Sequence, residues 1–396
     1  MNFFSYGRRT RRACENYVKD ILYHSPRDAR KRRGMFLFRV LSIFFWMAVR
    51  AREILYKNRW FREQHLGCRV IVVGNLTVGG TGKTPIVEKL ARALQGKGRK
   101  VGILSRGYKS KKEPWWKKGW HWLIHAEACP PKVVSDGKHC LLPYEQAGDE
   151  PLLLAKNLPG VCVVVDKDRV KAGRYAIGKF SCDLLLLDDG FQYFQLRSSL
   201  YILLIDATHP FGNGHVLPSG ILREPADRMK RAQFIFLTKS NQVTETRLRS
   251  LQRWIRHYNP QAPIFSCVHM PKYLCSVNGT ARLELSALKG RNVAALSGIA
   301  SPQPFERFLQ EQGSILVYRE RFLDHHAYTP KERAEFFVNA QRAGAEMVVT
   351  TEKDAVRMPE KEIFQLPFYF LRMEIDWADD RQPFEAIWEK LLSFSV

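Results

Sequence analysis

The sequence predicts an α/β fold: a mostly parallel sheet with helices on both faces, followed by a second, smaller α/β domain. Three observations lead there. Short apolar runs recur along the chain with helix-length segments between most of them, the pattern of strand–helix–strand crossovers. The first run, residues 70–73, passes through a glycine-rich turn into a helix-like segment at 85–94. The alternation breaks once, at 263–288, around Asn278-Gly279, a strong two-residue hairpin signal, and then resumes.

The chain opens on charge. Its 396 residues carry a formal net charge of +24, and residues 1–66 hold 16 Lys/Arg against 5 Asp/Glu. Such a segment seeks an anionic surface: phospholipid head groups, nucleic acid or a phosphorylated ligand. Within it, residues 35–49 form an apolar run that Arg39 interrupts and Arg50 and Arg52 close. The uninterrupted part, 40–49, falls short of the roughly 20 apolar residues that a bilayer core requires. A basic-flanked apolar helix with Phe and Trp suits an interfacial position, its arginines on head groups. Packing against the protein's own core is the other reading; the basic clusters Arg8-Arg9/Arg11-Arg12 and 30–33 favour the interface. The late start of the run and the lack of a small-residue cleavage site argue against a secretory signal. The eight cysteines form no Cys-x-x-Cys pair and no zinc spacing, as in a reduced cytosolic protein.

The turn after the first strand reads Gly74-Asn75-Leu76-Thr77-Val78-Gly79-Gly80-Thr81-Gly82-Lys83-Thr84-Pro85. Strand, glycine loop, Lys-Thr and helix in this order form a phosphate-cradling loop, so the first domain reads as P-loop NTPase-like. Gly79, Gly80 and Gly82 let backbone N–H groups approach phosphate oxygens. Lys83 can reach the β- and γ-phosphates, and the Thr84 hydroxyl can ligate Mg²⁺. The helix N-terminus adds partial positive charge. Thr77 stands where the strict pattern has a glycine.

Further strands are expected at 100–105, 161–165, 183–187, 201–205 and 234–237. The run at 183–187 ends in Asp188-Asp189-Gly190-Phe191-Gln192. A carboxylate there, beside a phosphate loop, holds Mg²⁺ directly or through water. Gly148-Asp149-Glu150-Pro151 precedes a helix pattern and reads equally as a cap or as a functional carboxylate. Leu222-Arg223-Glu224-Pro225 is open in the same way, and Asp166-Lys167-Asp168-Arg169 could face a phosphate or solvent. Residues 263–288 read as a β-ribbon linker. The second domain, 289–396, has strands at 292–296, 314–318, 347–350 and 368–371. In it, Asp324-His325-His326 suits a base or a core histidine better than a metal site, since neighbouring side chains rarely converge. Thr350-Thr351-Glu352-Lys353-Asp354 weakly matches a guanine-reading Asn-Lys-x-Asp. The domains are thus 1–66 (a basic membrane-associating helical segment), 67–262 (the P-loop domain), 263–288 (the ribbon) and 289–396.

Together these motifs resemble the tetraacyldisaccharide 4′-kinase family, the lipid A 4′-kinases of Gram-negative bacteria. The likeness rests on the loop at 74–85, Ser105-Arg106-Gly107-Tyr108, Gly148-Asp149-Glu150-Pro151, 188–192, 206–214, 222–225 and Asp324-His325-His326, in order along the chain. The resemblance implies two α/β/α domains joined by a β-ribbon, with ATP and a lipid headgroup meeting in the cleft. It implies an ATP- and Mg²⁺-dependent kinase at the cytoplasmic face of the inner membrane, phosphorylating the 4′-hydroxyl of a tetraacyldisaccharide 1-phosphate to give lipid IVA.

Residue roles carry over with it. Asp149 is the base for the 4′-hydroxyl, paired with His325, and Lys83 stabilises the phosphates. Nucleotide contacts come from Thr77, Gly79, Gly80, Thr81, Gly82, Lys83, Thr84, Asp189 and Gln192. Substrate contacts come from Asn75, Tyr108, Arg169 and Arg223. Thr84, Asp188 and Glu224 stand near the metal. No family motif covers the extension before residue 35 or the Trp-rich patch at 115–122.

Two other readings compete. A membrane-associated P-loop ATPase switch would need the loop and Asp188-Asp189, but not Asp149 or His325. A nucleic-acid-binding protein would account for the charge and the Trp/Lys interleaving, yet no helix-turn-helix, zinc-finger or RNP pattern is present. No nucleic acid and no obligate protein partner is expected.

Overall fold

The computed structural model describes residues 29–107, 129–279, 281–359, 362–378 and 383–394. The Trp-rich patch, the arginines at 8–12 and Tyr108 lie outside them.

Strand β1 (Arg69–Asn75) occupies the middle of the larger half, parallel to both β5 (Leu184–Asp188) and β6 (Leu200–Asp206). These runs are apolar on both faces because both faces are covered. Ile71, Val73, Leu184, Leu186 and Ile202 point into one core; Val70, Val72, Leu185, Leu187 and Leu203 point into the other. Beyond β5 lie β2 (Val101–Ser105) and β4 (Cys162–Val165), and beyond β6 lies β7 (Phe234–Thr238), all parallel. The edge strand β3 (Lys132–Asp136) runs antiparallel to β4 and was not expected. It is short and half polar, so its sequence carries little strand signal.

The join between the halves differs in detail from a free ribbon. Strand β8 (Ile264–Ser276) is 13 residues long. Its start pairs with β7 in parallel, and residues 267–276 pair antiparallel with β13 (Phe368–Trp377). The Asn278-Gly279 turn does form, with Gly279 at φ 75°, and β9 (Arg282–Glu284) returns along β8. One strand therefore belongs to both halves, and the described residues form a continuous 13-stranded sheet. The smaller half continues as β13, β12 (Met347–Thr351), β10 (Asn292–Ser297) and β11 (Ile315–Arg321), mutually parallel.

The apolar segment near the N-terminus lies within one long helix, α1 (Ala29–Lys57). No helix among the described residues is long and apolar enough to cross a membrane. One side of α1 is tied to the body: the Ser42 hydroxyl donates to the Val216 carbonyl at 2.9 Å and accepts from the Ser219 N–H at 2.9 Å. Arg50 pairs with Asp227 at 3.6 Å. Phe36, Phe44 and Met47 are exposed away from that side, and Ile43 and Trp46, also exposed, border the cleft that α1 forms with Phe211 and Trp254. The reading of the helix as packed on the protein's own body therefore holds for the stripe that carries Ser42.

Candidate active site

The loop at 76–82 connects β1 to α2 (Lys83–Gly96). Gly82 caps the helix at φ 77°, a left-handed conformation that favours glycine, and a Cβ there would fall 2.4 Å from Nε2 of His269 on β8. The neighbouring strand ends hold the loop in place. The Thr238 hydroxyl donates to the Thr81 carbonyl at 2.9 Å, Lys239 Nζ donates to the Gly80 carbonyl at 3.3 Å, and the Arg223 N–H donates to the Leu76 carbonyl at 2.6 Å.

A polar cluster gathers beside it at the carboxyl ends of β1 and β5. Lys83 Nζ lies 3.3 Å from Asn75 Oδ1 and 3.3 Å from Asp189 Oδ1. Arg223 Nη1 donates to both Asp189 oxygens, at 2.9 and 2.8 Å. Gln192 Nε2 donates to the Asn75 carbonyl at 3.0 Å, and Asn75 Nδ2 to that of Thr77 at 2.8 Å. Burial pushes the Asp189 carboxyl up, but Lys83 and Arg223 outweigh it and hold the group below its ordinary range. Asp188 behaves oppositely. Burial, then the charges of Glu150 and Asp189, push it up to about 7. Its Oδ1 is buried without a hydrogen-bond partner, and Thr84 is buried at the start of α2. A buried carboxylate with an orphaned oxygen beside a phosphate loop fits a divalent cation.

Arg169 opens α5 (Arg169–Phe180) behind its capping residue Asp168. It is buried and stacks on Tyr193 at 4.7 Å, and its Nε has no partner. Burial lowers its guanidinium's proton affinity, with the charges of Asp189 and Asp188 among those opposing the shift. Glu224 is another residue expected near the metal. It is 1% exposed and held between Arg231 and Arg52, the latter at 3.5 Å from α1. No metal-ligating group of three acidic, His or Cys side chains occurs among the described residues. Through Arg52, Glu224 ties α1 to the body.

Across from the loop stands Asp149, in the first turn of α4 (Asp149–Asn157) behind Gly148 at φ 87°. Its side chain turns to the smaller half instead of capping its own helix. His325 Nδ1 lies 2.7 Å from Asp149 Oδ2. His325 sits at φ 62°, and its N–H donates to the Gly298 carbonyl at 3.1 Å. Arg357 also reaches Oδ2, through Nη2 at 2.5 Å and Nε at 3.0 Å. Burial pushes the Asp149 carboxyl up, yet His325 and Arg357 outweigh it and bring it down to about 2. Glu150 pairs with Lys353 at 2.8 Å. Nearby, Arg372 of β13 bridges Glu88 of α2 and Glu352, and Asn157 donates to both carboxylates at 3.1 and 2.9 Å.

Arg357 and Lys353 were missed as site residues by sequence reasoning. The only signal was the short motif at 350–354. Its resemblance to a base-reading motif fails: Asp354 is fully buried and accepts from the Gly298 N–H, the Tyr328 hydroxyl, Thr351 and Arg357. It is an internal anchor.

A phosphate loop with its lysine, a cation-fitting carboxylate and a facing carboxylate–imidazole pair define a P-loop kinase. The family model described as tetraacyldisaccharide-1-P 4′-kinase matches residues 35–392. The tetraacyldisaccharide 4′-kinase of Syntrophus aciditrophicus is 37% identical over 362 residues, covering 89% of this chain and 92% of its own. That of Anaeromyxobacter sp. (strain K) is 41% identical over 316 residues, 79% of each chain. The crystal structure of LpxK from Aquifex aeolicus in complex with ATP is similar at a TM-score of 0.68 and 29% identity, covering 89% of this chain and 97% of that one. The chain belongs to the tetraacyldisaccharide 4′-kinase family, enzymes of lipid A biosynthesis.

Proposed function

We propose that this chain transfers the γ-phosphate of ATP to the 4′-hydroxyl of a tetraacyldisaccharide 1-phosphate, working at the cytoplasmic face of the inner membrane. The observation that carries the reading is the Asp149–His325 contact at 2.7 Å, which pairs a carboxylate of the larger half with an imidazole of the smaller one, as a proton acceptor for the hydroxyl requires. The loop backbone and Lys83 hold the β- and γ-phosphates. Asp189 and Asn75 aim the lysine, and Arg223 and Arg169 face the substrate's phosphate or the charge that develops in transfer. Thr84 and Asp188 would hold Mg²⁺, which when bound neutralises phosphate charge. Asp149 accepts the hydroxyl proton late, once the acceptor oxygen is bonding to phosphorus. A weak base suffices for so loose a transition state.

The exposed apolar face of α1 and its arginines lie against anionic head groups, bringing the lipid to the cleft. Domains 67–262 and 289–396 are read as the nucleotide-bearing and histidine-bearing halves, with 263–288 as their join. The test is Asp149→Asn. It is expected to lower kcat on the order of a hundredfold or more, with Mg·ATP affinity kept within about twofold. Unchanged kcat would remove Asp149 from the chemistry.

A further inference from the structure

Arg357 follows the short helix α9 (Glu352–Ala355) on the smaller half, yet its guanidinium serves a carboxylate of the larger half. Its side chain is 0% exposed. Nη2 and Nε grip Asp149 Oδ2, while Nη1 donates to Asp354 Oδ1 at 2.9 Å and to the Gly298 carbonyl at 3.1 Å. Asp354 is pinned in turn by the Gly298 N–H, the Tyr328 hydroxyl at 2.8 Å and the Thr351 hydroxyl at 2.6 Å. The fork is therefore fixed on its own side before it reaches across. His325 Nδ1 occupies the same oxygen of Asp149, so Oδ2 carries three contacts and no described donor reaches Oδ1.

We propose that Arg357 is a positioning residue for phosphoryl transfer: it locks the Asp149 carboxylate across the cleft with Oδ2 occupied, so that Oδ1 receives the 4′-hydroxyl proton. This rests on the reading of Asp149 as the proton acceptor. In the step, the hydroxyl O–H bond breaks and its proton passes to Oδ1. The hydroxyl oxygen bonds to the γ-phosphorus, the bond to the β–γ bridging oxygen breaks, and ADP leaves. The two N–H groups converge on the single oxygen Oδ2 and fix its place, while Nη1 of the guanidinium holds Asp354 and Gly298; an ammonium has no such rigid fork. Displacement of a reacting group by about 1 Å can cost on the order of a hundredfold in rate. The groups that act on Asp149 come from several elements: His325, Arg357, Lys353 and Tyr328 from the smaller half, and Tyr144 from the helix before α4. Removing the guanidinium leaves burial less opposed, so the carboxyl titrates higher.

The experiment compares wild type, Arg357→Gln, Arg357→Lys and Asp149→Ala as full-length chains. Turnover of tetraacyldisaccharide 1-phosphate in mixed micelles is followed from about pH 5.5 to 9, with the KM for Mg·ATP and Tm measured alongside. Arg357→Gln is expected to lower kcat on the order of a hundredfold near pH 6 and less near pH 8.5, with KM for Mg·ATP within about twofold. Arg357→Lys should recover the wild-type pH dependence while kcat stays about tenfold low, since one ammonium cannot hold Asp149, Asp354 and Gly298 together. A wild-type kcat in Arg357→Gln, or a loss equal at every pH that tracks a lowered Tm, would overturn the positioning role. If Arg357→Gln does not fold, a wild-type kcat in Arg357→Lys overturns it instead. Asp149→Ala reports separately on the parent reading. Near-wild-type turnover there removes Asp149 as acceptor; its collapse beside a pH-independent loss in Arg357→Gln sinks only the role of Arg357.

Discussion

Asp188 is a buried carboxylate and Asp149 a partly buried one, and their surroundings drive them in opposite directions. Asp188 gains no compensating partner for Oδ1 and is pushed up to about 7 by burial, then by Glu150 and Asp189. Folding therefore favours its protonated form, and that contribution is lost as pH rises through about 7. Asp188→Asn should raise the Tm of the nucleotide-free protein by a few degrees at pH 8, less at pH 6, and abolish phosphate transfer. Thermal scans at the two pH values with an activity assay check both halves; a lowered Tm at pH 8 would contradict the account. Asp149 is held at about 2 because His325 and Arg357 outweigh its burial. Its clasp contributes stability above about pH 4 that is lost as pH falls toward 2, on the order of 2 kcal/mol.

Among the elements, the phosphate loop is the most tightly specified. Gly82 cannot be replaced, because its φ of 77° favours glycine and His269 fills the space a Cβ would take. Gly82→Ala should therefore lose Mg·ATP binding by at least tenfold in a direct titration. Gly82→Ala/His269→Ala should not recover it, since the backbone strain remains; full recovery would place the fault in the steric contact alone.

Loop and strands were legible because each is a local pattern: β1 and β5 are continuous apolar runs, and Lys83, Thr84, Asp188 and Asp189 follow them at strand ends. Strand β3 was not, being too short and polar to show alternation. The length of β8 was not either, because its partner β13 lies about a hundred residues away in sequence. Arg357 was missed for the same reason: nothing near it in the chain announces Asp149, and only the fold brings them to 2.5 Å. The partners of Glu224 were illegible in the same way: Arg223 beside it bonds Asp189, whereas Glu224 turns to Arg52 and Arg231, and Arg52 lies far off in the chain.

At the scale of the whole molecule, the two halves share one sheet and a buried ionic seam. Arg372 holds Glu88 of the loop helix and Glu352 of the smaller half while itself only 7% exposed. Arg372→Met leaves those carboxylates short of a partner and should cost about 3 kcal/mol in unfolding measurements; a neutral outcome would mean that the seam holds nothing. The exposed face of α1 carries the membrane proposal. Phe44→Glu/Met47→Glu should weaken binding to anionic vesicles at least tenfold without moving the KM for Mg·ATP, and unchanged vesicle binding would shift the contact elsewhere. The central claim is that the cleft moves phosphate from ATP to a lipid hydroxyl. It is tested most directly by following labelled γ-phosphate from Mg·ATP into tetraacyldisaccharide 1-phosphate in mixed micelles, with wild type, Lys83→Ala and Asp149→Ala compared. Label at the 4′ position, abolished by both substitutions, is the expected result. ATP hydrolysis without labelled lipid would contradict it and make this chain a P-loop ATPase switch.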